Sequence, residues 1–194
     1  MRRVVYTFPM AKAAERKALY NDLLALPEHV VGEIIDGDLI VSPRPAPRHA
    51  SAASMIVGVL SLPFRRGIGG PGGWLILMEP ELHLRRDVLV PDVAGWRLER
   101  MPTMPDKAFF AVAPDWVCEV LSPSTAALDR SRKLRIYARA EVGHVWLVDA
   151  TLRTLEVMRR DGTGWHLVDV YEGAVRVRAE PFEALEIDLS LLWD

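Results

Sequence analysis

Trp116-Val117-Cys118-Glu119-Val120-Leu121-Ser122-Pro123-Ser124-Thr125 sets one carboxylate inside an apolar run and ends the run in a hydroxyl-rich turn. The run predicts a buried strand over Val117–Leu121. A carboxylate in such a strand is costly unless a cation compensates it. Proline beside serine and threonine is a helix-start signal, so a helix is predicted from Ala126 to Ala140. His144–Asp149 then gives another apolar strand. Strand, helix and strand in succession predict an α/β or α+β sheet with a few helices.

Working outward, residues 11 to 26 are rich in Ala, Leu, Glu and Lys and predict a helix that stops near Pro27. Glu33-Ile34-Ile35 and Asp38-Leu39-Ile40-Val41 flank Asp36-Gly37, a hairpin signal. Pro43, Pro45 and Pro47 hold an extended connection. From His49 to Leu62, Ala52, Met55, Ile56, Val59 and Leu60 recur at helical spacing and predict a core-facing helix. The segment Gly67-Ile68-Gly69-Gly70-Pro71-Gly72-Gly73 lacks the Gly-Lys-Ser/Thr of a phosphate loop and reads as a turn. Strands are predicted at Trp74–Met78, Glu81–Leu84 and Val88–Ala94. Hairpin-like pieces follow at Thr154–Met158, Trp165–Tyr171 and Ala174–Arg178, with a short end near Leu185–Trp193. No internal repeat or low-complexity linker divides the 194 residues, so one domain over residues 1–194 is expected.

The formal charge of −2 supplies no global field toward nucleic acid or anionic lipid, so any DNA contact must come from a local basic face. The single cysteine, Cys118, forbids an internal disulfide and reads as a buried core thiol. Met1-Arg2-Arg3-Val4 lacks the apolar stretch of a signal peptide, and no segment reaches the ~18 apolar residues of a membrane span. The expectation is a cytoplasmic protein. Of the 24 basic residues only Lys12, Lys17, Lys107 and Lys133 are lysine. Lys133 stands among Arg130, Arg132, Arg135 and Arg139, yet it is the compact cation whose pKa can move.

Pro-Asp occurs at 91–92, 105–106 and 114–115. Asp106 lies in a proline-broken polar loop. Asp115 and Glu119 share a strand face about 13 Å apart at ~3.3 Å per residue, too far to share one ion. Asp92 comes from a separate strand and meets Glu119 if the two strands pair. Asp129, Lys133 and Tyr137 are spaced by four on one helix face. Two readings of that trio stay open: a helix ion pair with an aromatic neighbour, or a lysine directed back over the Glu119 strand. Two strand carboxylates followed by a lysine point to a divalent metal and a phosphate ester.

These residues resemble the bacterial “putative restriction endonuclease” domain family within the PD-(D/E)xK nuclease superfamily. The matching stretches are Glu33 to Pro43, His49, Val90-Pro91-Asp92-Val93, Glu119 to Thr125, then Asp129, Lys133, Tyr137, Gly143 and Trp146-Leu147-Val148-Asp149. The resemblance implies a restriction-endonuclease-like central mixed sheet flanked by helices, with additional C-terminal β-hairpins. It implies that Asp92 and Glu119 bind metal, Mg²⁺ or Mn²⁺, and that Glu33 completes the shell or orients a water. Leu121 occupies the superfamily's usual lysine position, and Lys133 would supply that charge from the next helix. His49 matches a recurrent histidine, for which a helix-cap or core role stays open. Gly32 and His144-Val145 depart from the pattern at packing positions. The implied activity is metal-dependent hydrolysis of DNA phosphodiester bonds, with Arg85, Arg86, Arg130 and Arg132 as candidate backbone contacts. The rival reading is an inactive nuclease-fold binding or regulatory module, in which arginine compensates Asp92 and Glu119. Apolar strands near the C-terminus are compatible with a homodimer, and no helix-turn-helix or zinc-finger module is visible.

Overall fold

The computed structural model describes residues 16–193. Of the helix predicted over 11–26, α1 spans Tyr20–Leu24, and residues 11–15 lie outside the described residues. Its start is fixed locally, because the Leu19 N–H donates to Asp22 Oδ2 at 2.7 Å. Strands β1 (Val30–Ile35) and β2 (Asp38–Pro43) form the expected hairpin. Asp36 and Gly37 turn it with φ of 54° and 92°, the doubly positive geometry for which Asp-Gly is suited. Helix α2 (Pro47–Leu60) begins on Pro47, whose missing N–H costs nothing at a first helical position, and continues into a π turn over Ser61–Arg65. The glycine-rich segment is a turn, with positive φ at Gly67, Gly69, Gly72 and Gly73.

Strands β3 (Trp74–Met78), β4 (Leu82–Leu84), β5 (Asp87–Leu89), β6 (Val93–Arg97) and β7 (Trp116–Val120) follow. The stretch predicted as one strand over Val88–Ala94 is in fact two, β5 and β6, in different sheets. Pro91 has no N–H to give to a ladder, and the chain passes from one sheet to the other there. After β7 come α3 (Ala126–Leu128), a π turn over Asp129–Lys133 and α4 (Leu134–Arg139). The predicted continuous helix is thus widened at its centre. Strands β8 (His144–Asp149), β9 (Thr154–Asp161), β10 (Gly164–Glu172), β11 (Arg176–Val177) and β12 (Ile187–Asp188) complete the chain.

The sheets are four-stranded β2-β1-β5-β4, six-stranded β10-β9-β8-β7-β6-β3 and two-stranded β11-β12. The six-stranded sheet is mixed because β7 and β8 run parallel, which the intervening helix allows. The expected C-terminal hairpin β9–β10 is an extension of this sheet rather than an addition to it. Alternation along β7 divides its side chains between two apolar layers. Trp116, Cys118 and Val120 enter a layer with α2 and the C-terminal segment, where Phe182 packs edge-on against Trp116 and Trp146. Val117 and Leu121 enter the other layer with Ile35, Trp96 and Tyr137. Glu119 alternates onto that second face, toward the helix after β7. Among the described residues no helix is long and apolar enough to cross a membrane.

Candidate active site

The site lies where the two larger sheets meet the helix after β7. Glu33 comes from β1, Asp92 from the crossover between β5 and β6, and Glu119 from β7. Strands β6 and β7 pair antiparallel with Val93 opposite Cys118, so one further step sets Asp92 opposite Glu119. The crossover needs these acids locally. Val90 N–H donates to Glu33 Oε1 at 2.9 Å, and Val120 N–H donates to Asp92 Oδ2 at 2.7 Å. Backbone donors that leave a ladder are thereby satisfied by carboxylates. The other two Pro-Asp acids are elsewhere: Asp106 is exposed, and Asp115 takes the Arg97 N–H and the Arg100 guanidinium.

Lys133 Nζ is 3.0 Å from Glu33 Oε1, 3.1 Å from Glu119 Oε1 and 3.4 Å from Asp129 Oδ1. Lys133 is only 4% exposed, so it is not an exposed helix lysine; the helix ion pair with Asp129 does form, but buried inside the cleft. A compact ammonium can stand among three carboxylates where a planar guanidinium fork would not fit the same space. The π turn turns Asp129 and Lys133 inward together, a widened geometry that recurs at functional sites. Tyr137, one turn on, donates to Glu119 Oε1 at 2.5 Å. His49, at the start of α2, holds Nε2 at 3.3 Å from Asp92 Oδ2, while its buried Nδ1 has no partner.

The four candidate arginines do not line the cleft. Arg130 pairs with Glu156, and Arg132 is spent on Asp36, Asp38 and the Ile35 carbonyl. Arg85 and Arg86 are exposed on the β4–β5 turn. Sequence reasoning missed Arg44, Ser122, Ser124 and Thr125, which do line it. Tyr137 was already signalled by its spacing of four from Lys133.

The cleft measures about 260 Å³ and contains Glu33, Asp92, Glu119 and Asp129 against Lys133 and His49. Burial pushes Glu119 well above the usual carboxylate range against the opposing pull of Lys133, and neighbouring acids push it further. Burial likewise raises Asp129. Burial alone would lower Lys133, but Glu119, Glu33 and Asp129 raise it well above its ordinary value, so it stays an ammonium. Burial would lower His49 too, yet its hydrogen bond and charge interaction with Asp92 lift it above the ordinary value. Counted formally, with exposed Glu79 and Arg44 included, five lining carboxylates face three cations, a surplus of two acids, and the raised Glu119 and Asp129 reflect how poorly the cleft bears that charge without a further cation.

That surplus equals the charge of one divalent ion. The contacts of Asp92 use Oδ2 and those of Glu119 use Oε1, so each carboxylate has a second oxygen outside these contacts. Hard carboxylate oxygens suit Mg²⁺ or Mn²⁺. Among the described residues no group of three or more His, Cys, Asp or Glu side chains is placed to hold a metal ion. Mg²⁺ does not require one, since it is commonly held by one or two carboxylates, waters and substrate phosphate. The residues fit such an ion. No arginine forms an ion pair with Asp92 or Glu119 among the described residues; their cationic partners are His49 and Lys133.

Comparison with known proteins follows the same line. A crystal structure described as that of “a putative nuclease” from Anabaena variabilis superposes with a TM-score of 0.71 at 23% identity. The match covers 89% of this chain and 96% of that one, and it shows a shared fold. No curated protein matches the chain. The family model Uma2, described as “Putative restriction endonuclease”, matches residues 20–191. The chain belongs to the Uma2 family of restriction-endonuclease-like proteins.

Proposed function

We propose that this protein is a Mg²⁺- or Mn²⁺-dependent endonuclease that hydrolyses DNA phosphodiester bonds, the chain serving as one nuclease-like domain. The observation that carries the reading is the surplus of two acids over cations in a cleft built at the crossover of two sheets. A purely structural cluster would be costly in that state. Asp92 and Glu119 are the proposed metal ligands, through the oxygens their internal contacts leave over. A bound ion would supply Lewis acidity and a water of lowered pKa.

The chain's own residues then have distinct tasks. Lys133 offsets negative charge as it develops on the phosphoryl oxygens. Glu33 and Asp129 hold its ammonium in place, and orienting a water is the further role proposed for Glu33. Tyr137 fixes Glu119, and His49 fixes Asp92. Water oxygen forms the new bond to phosphorus, the bond to the leaving sugar oxygen breaks, and that oxygen takes up a proton. A cytoplasmic location and a homodimer belong to the same proposal, the latter supported by exposed Leu167 and Val170 on the edge strand β10.

The test is calorimetric titration of Mg²⁺ and Mn²⁺ into the wild type, Asp92→Ala and Glu119→Ala, with cleavage assays on linear, supercoiled and single-stranded DNA. Binding is expected in the wild type and lost in both variants. Absence of binding to the wild type, or binding that both variants retain, removes the metal from the mechanism. Metal binding without cleavage of any DNA form favours the inactive binding module.

A further inference from the structure

Among the described residues, Arg44 is the one cation lining the cleft whose charge is turned to solvent. Lys133 is buried among three carboxylates, and the His49 side chain is 14% exposed against Asp92. Arg44 follows the last residue of β2 and is 59% exposed at its side chain. Its ties are slight: one hydrogen bond to the Glu28 carbonyl at 2.9 Å, and Glu79 Oε2 at 3.9 Å. Exposed pairs of this length contribute little, so the guanidinium is available for exchange.

Glu79 is held more firmly than Arg44. It has φ of 45°, a left-handed backbone that a non-glycine residue adopts only when its surroundings impose it. Its N–H donates to the Asp92 carbonyl at 3.0 Å, which ties this turn to the crossover bearing a proposed metal ligand. Arg44 and Glu79 also stand where the cleft meets a second cavity of about 280 Å³, and the two spaces share Val31, Arg44, Glu79 and Val90. Glu28 and Glu81 also line the second cavity, so the pair marks its boundary with the cleft, and a phosphate reaches Arg44 from the cleft side. The hydroxyls of Ser122, Ser124 and Thr125 line the same cleft and can donate to phosphate oxygens.

We infer that Arg44 is the arginine that grips the DNA backbone beside the cleft, and that Glu79 masks it in the free protein. On binding, a phosphate oxygen replaces the Glu79 carboxylate as partner of the guanidinium. The inference rests on the reading of this protein as a DNA-cleaving enzyme and adds a residue to which that reading assigns no role. Arg44 positions the strand, and Glu79 sets how strongly it does so.

Fluorescence anisotropy of a short labelled DNA duplex, titrated in Ca²⁺ across a salt series, tests it. Arg44→Ala is expected to weaken binding about tenfold, the order expected for one charge-assisted hydrogen bond. The slope of log affinity against log salt should become shallower by about 0.9, one phosphate contact. Arg44→Lys should keep the wild-type slope. Glu79→Gln keeps the shape of the side chain and should tighten binding about threefold in the wild type, with no effect in the Arg44→Ala background. An unchanged slope in Arg44→Ala overturns the inference while leaving the nuclease reading intact. So does tightening by Glu79→Gln that persists without Arg44, because it would report only a general loss of negative charge. If the wild type binds no DNA, both the inference and the reading beneath it fail. Thermal unfolding of each variant should match the wild type, since both side chains are exposed.

Discussion

Lys133 Nζ stands 3.1 Å from Glu119 Oε1, although its helix begins only after β7 has ended and the chain has turned back. The helix that joins two parallel strands thus returns a cation to the strand it has just left. The same ammonium reaches Glu33 in the other sheet, so one side chain ties together strand, helix and hairpin. Its surroundings lead to the first prediction.

Lys133→Met leaves Glu33, Glu119 and Asp129 around an uncharged thioether. Breaking a buried ion pair from one side costs about 3–5 kcal/mol. For a chain of this size that is a fall of roughly 6–20 °C in Tm. Metal binding should stay near the wild-type level in calorimetry while cleavage disappears. Adding Glu119→Gln should recover part of the lost Tm. An unchanged Tm with cleavage retained would mean that the buried ammonium serves neither stability nor cleavage.

Tyr137→Phe removes the hydroxyl that donates to Glu119 at 2.5 Å and leaves the buried ring in place. Burial and the nearby carboxylates hold the Tyr137 hydroxyl well above its ordinary pKa, so it is a donor throughout the neutral range. The loss should be about 1.5–3 kcal/mol, the range for a hydrogen bond to a charged group. Urea unfolding should show a lower midpoint with an unchanged m value. A midpoint equal to that of the wild type would mean that the contact contributes nothing to stability.

Asp36 turns the β1–β2 hairpin and faces Arg139 at 3.0 Å, with Arg132 nearby. The hydrogen bond from Arg139, followed by its charge and that of Arg132, outweighs burial and lowers the Asp36 carboxyl below the usual range. The unfolded chain therefore binds this proton at a higher pH than the folded one does. The stabilisation is present above the ordinary carboxylate value of about 4 and is lost as pH falls through the depressed folded value. Asp36→Asn should flatten the acid limb of a stability–pH profile and leave the neutral limb's shape unchanged. An acid limb as steep as that of the wild type would place the titrating group elsewhere.

Much of the local structure was legible because its signals are local. Asp36-Gly37 between apolar strands specifies a turn with two positive φ angles, and that hairpin formed. Ser122-Pro123-Ser124-Thr125 marks the end of a buried strand and the start of a helix, and both are present. Misreadings arose where a long-range partner decided. Val88–Ala94 is apolar except at Asp92, and although Pro91 marks a break in the ladder, nothing along the chain reveals that the two halves join different sheets. Arg130 and Arg132 have the composition of a phosphate grip, yet Glu156 and the hairpin acids Asp36 and Asp38 consume them.

The sequence by itself determined which residues could carry the chemistry: acids confined to apolar strands, and a lysine kept in an arginine-rich helix. Those choices are written in composition and periodicity, which report the face a side chain occupies. Only the tertiary structure decided which faces meet. The β6–β7 pairing brought Asp92 opposite Glu119, and the hairpin's own sheet delivered Glu33 to Lys133. It also left Arg44 facing solvent beside the cleft while Arg130 and Arg132 were paired with acids. Periodicity is a property of one segment, whereas charge compensation in a buried cleft is a property of every segment that borders it.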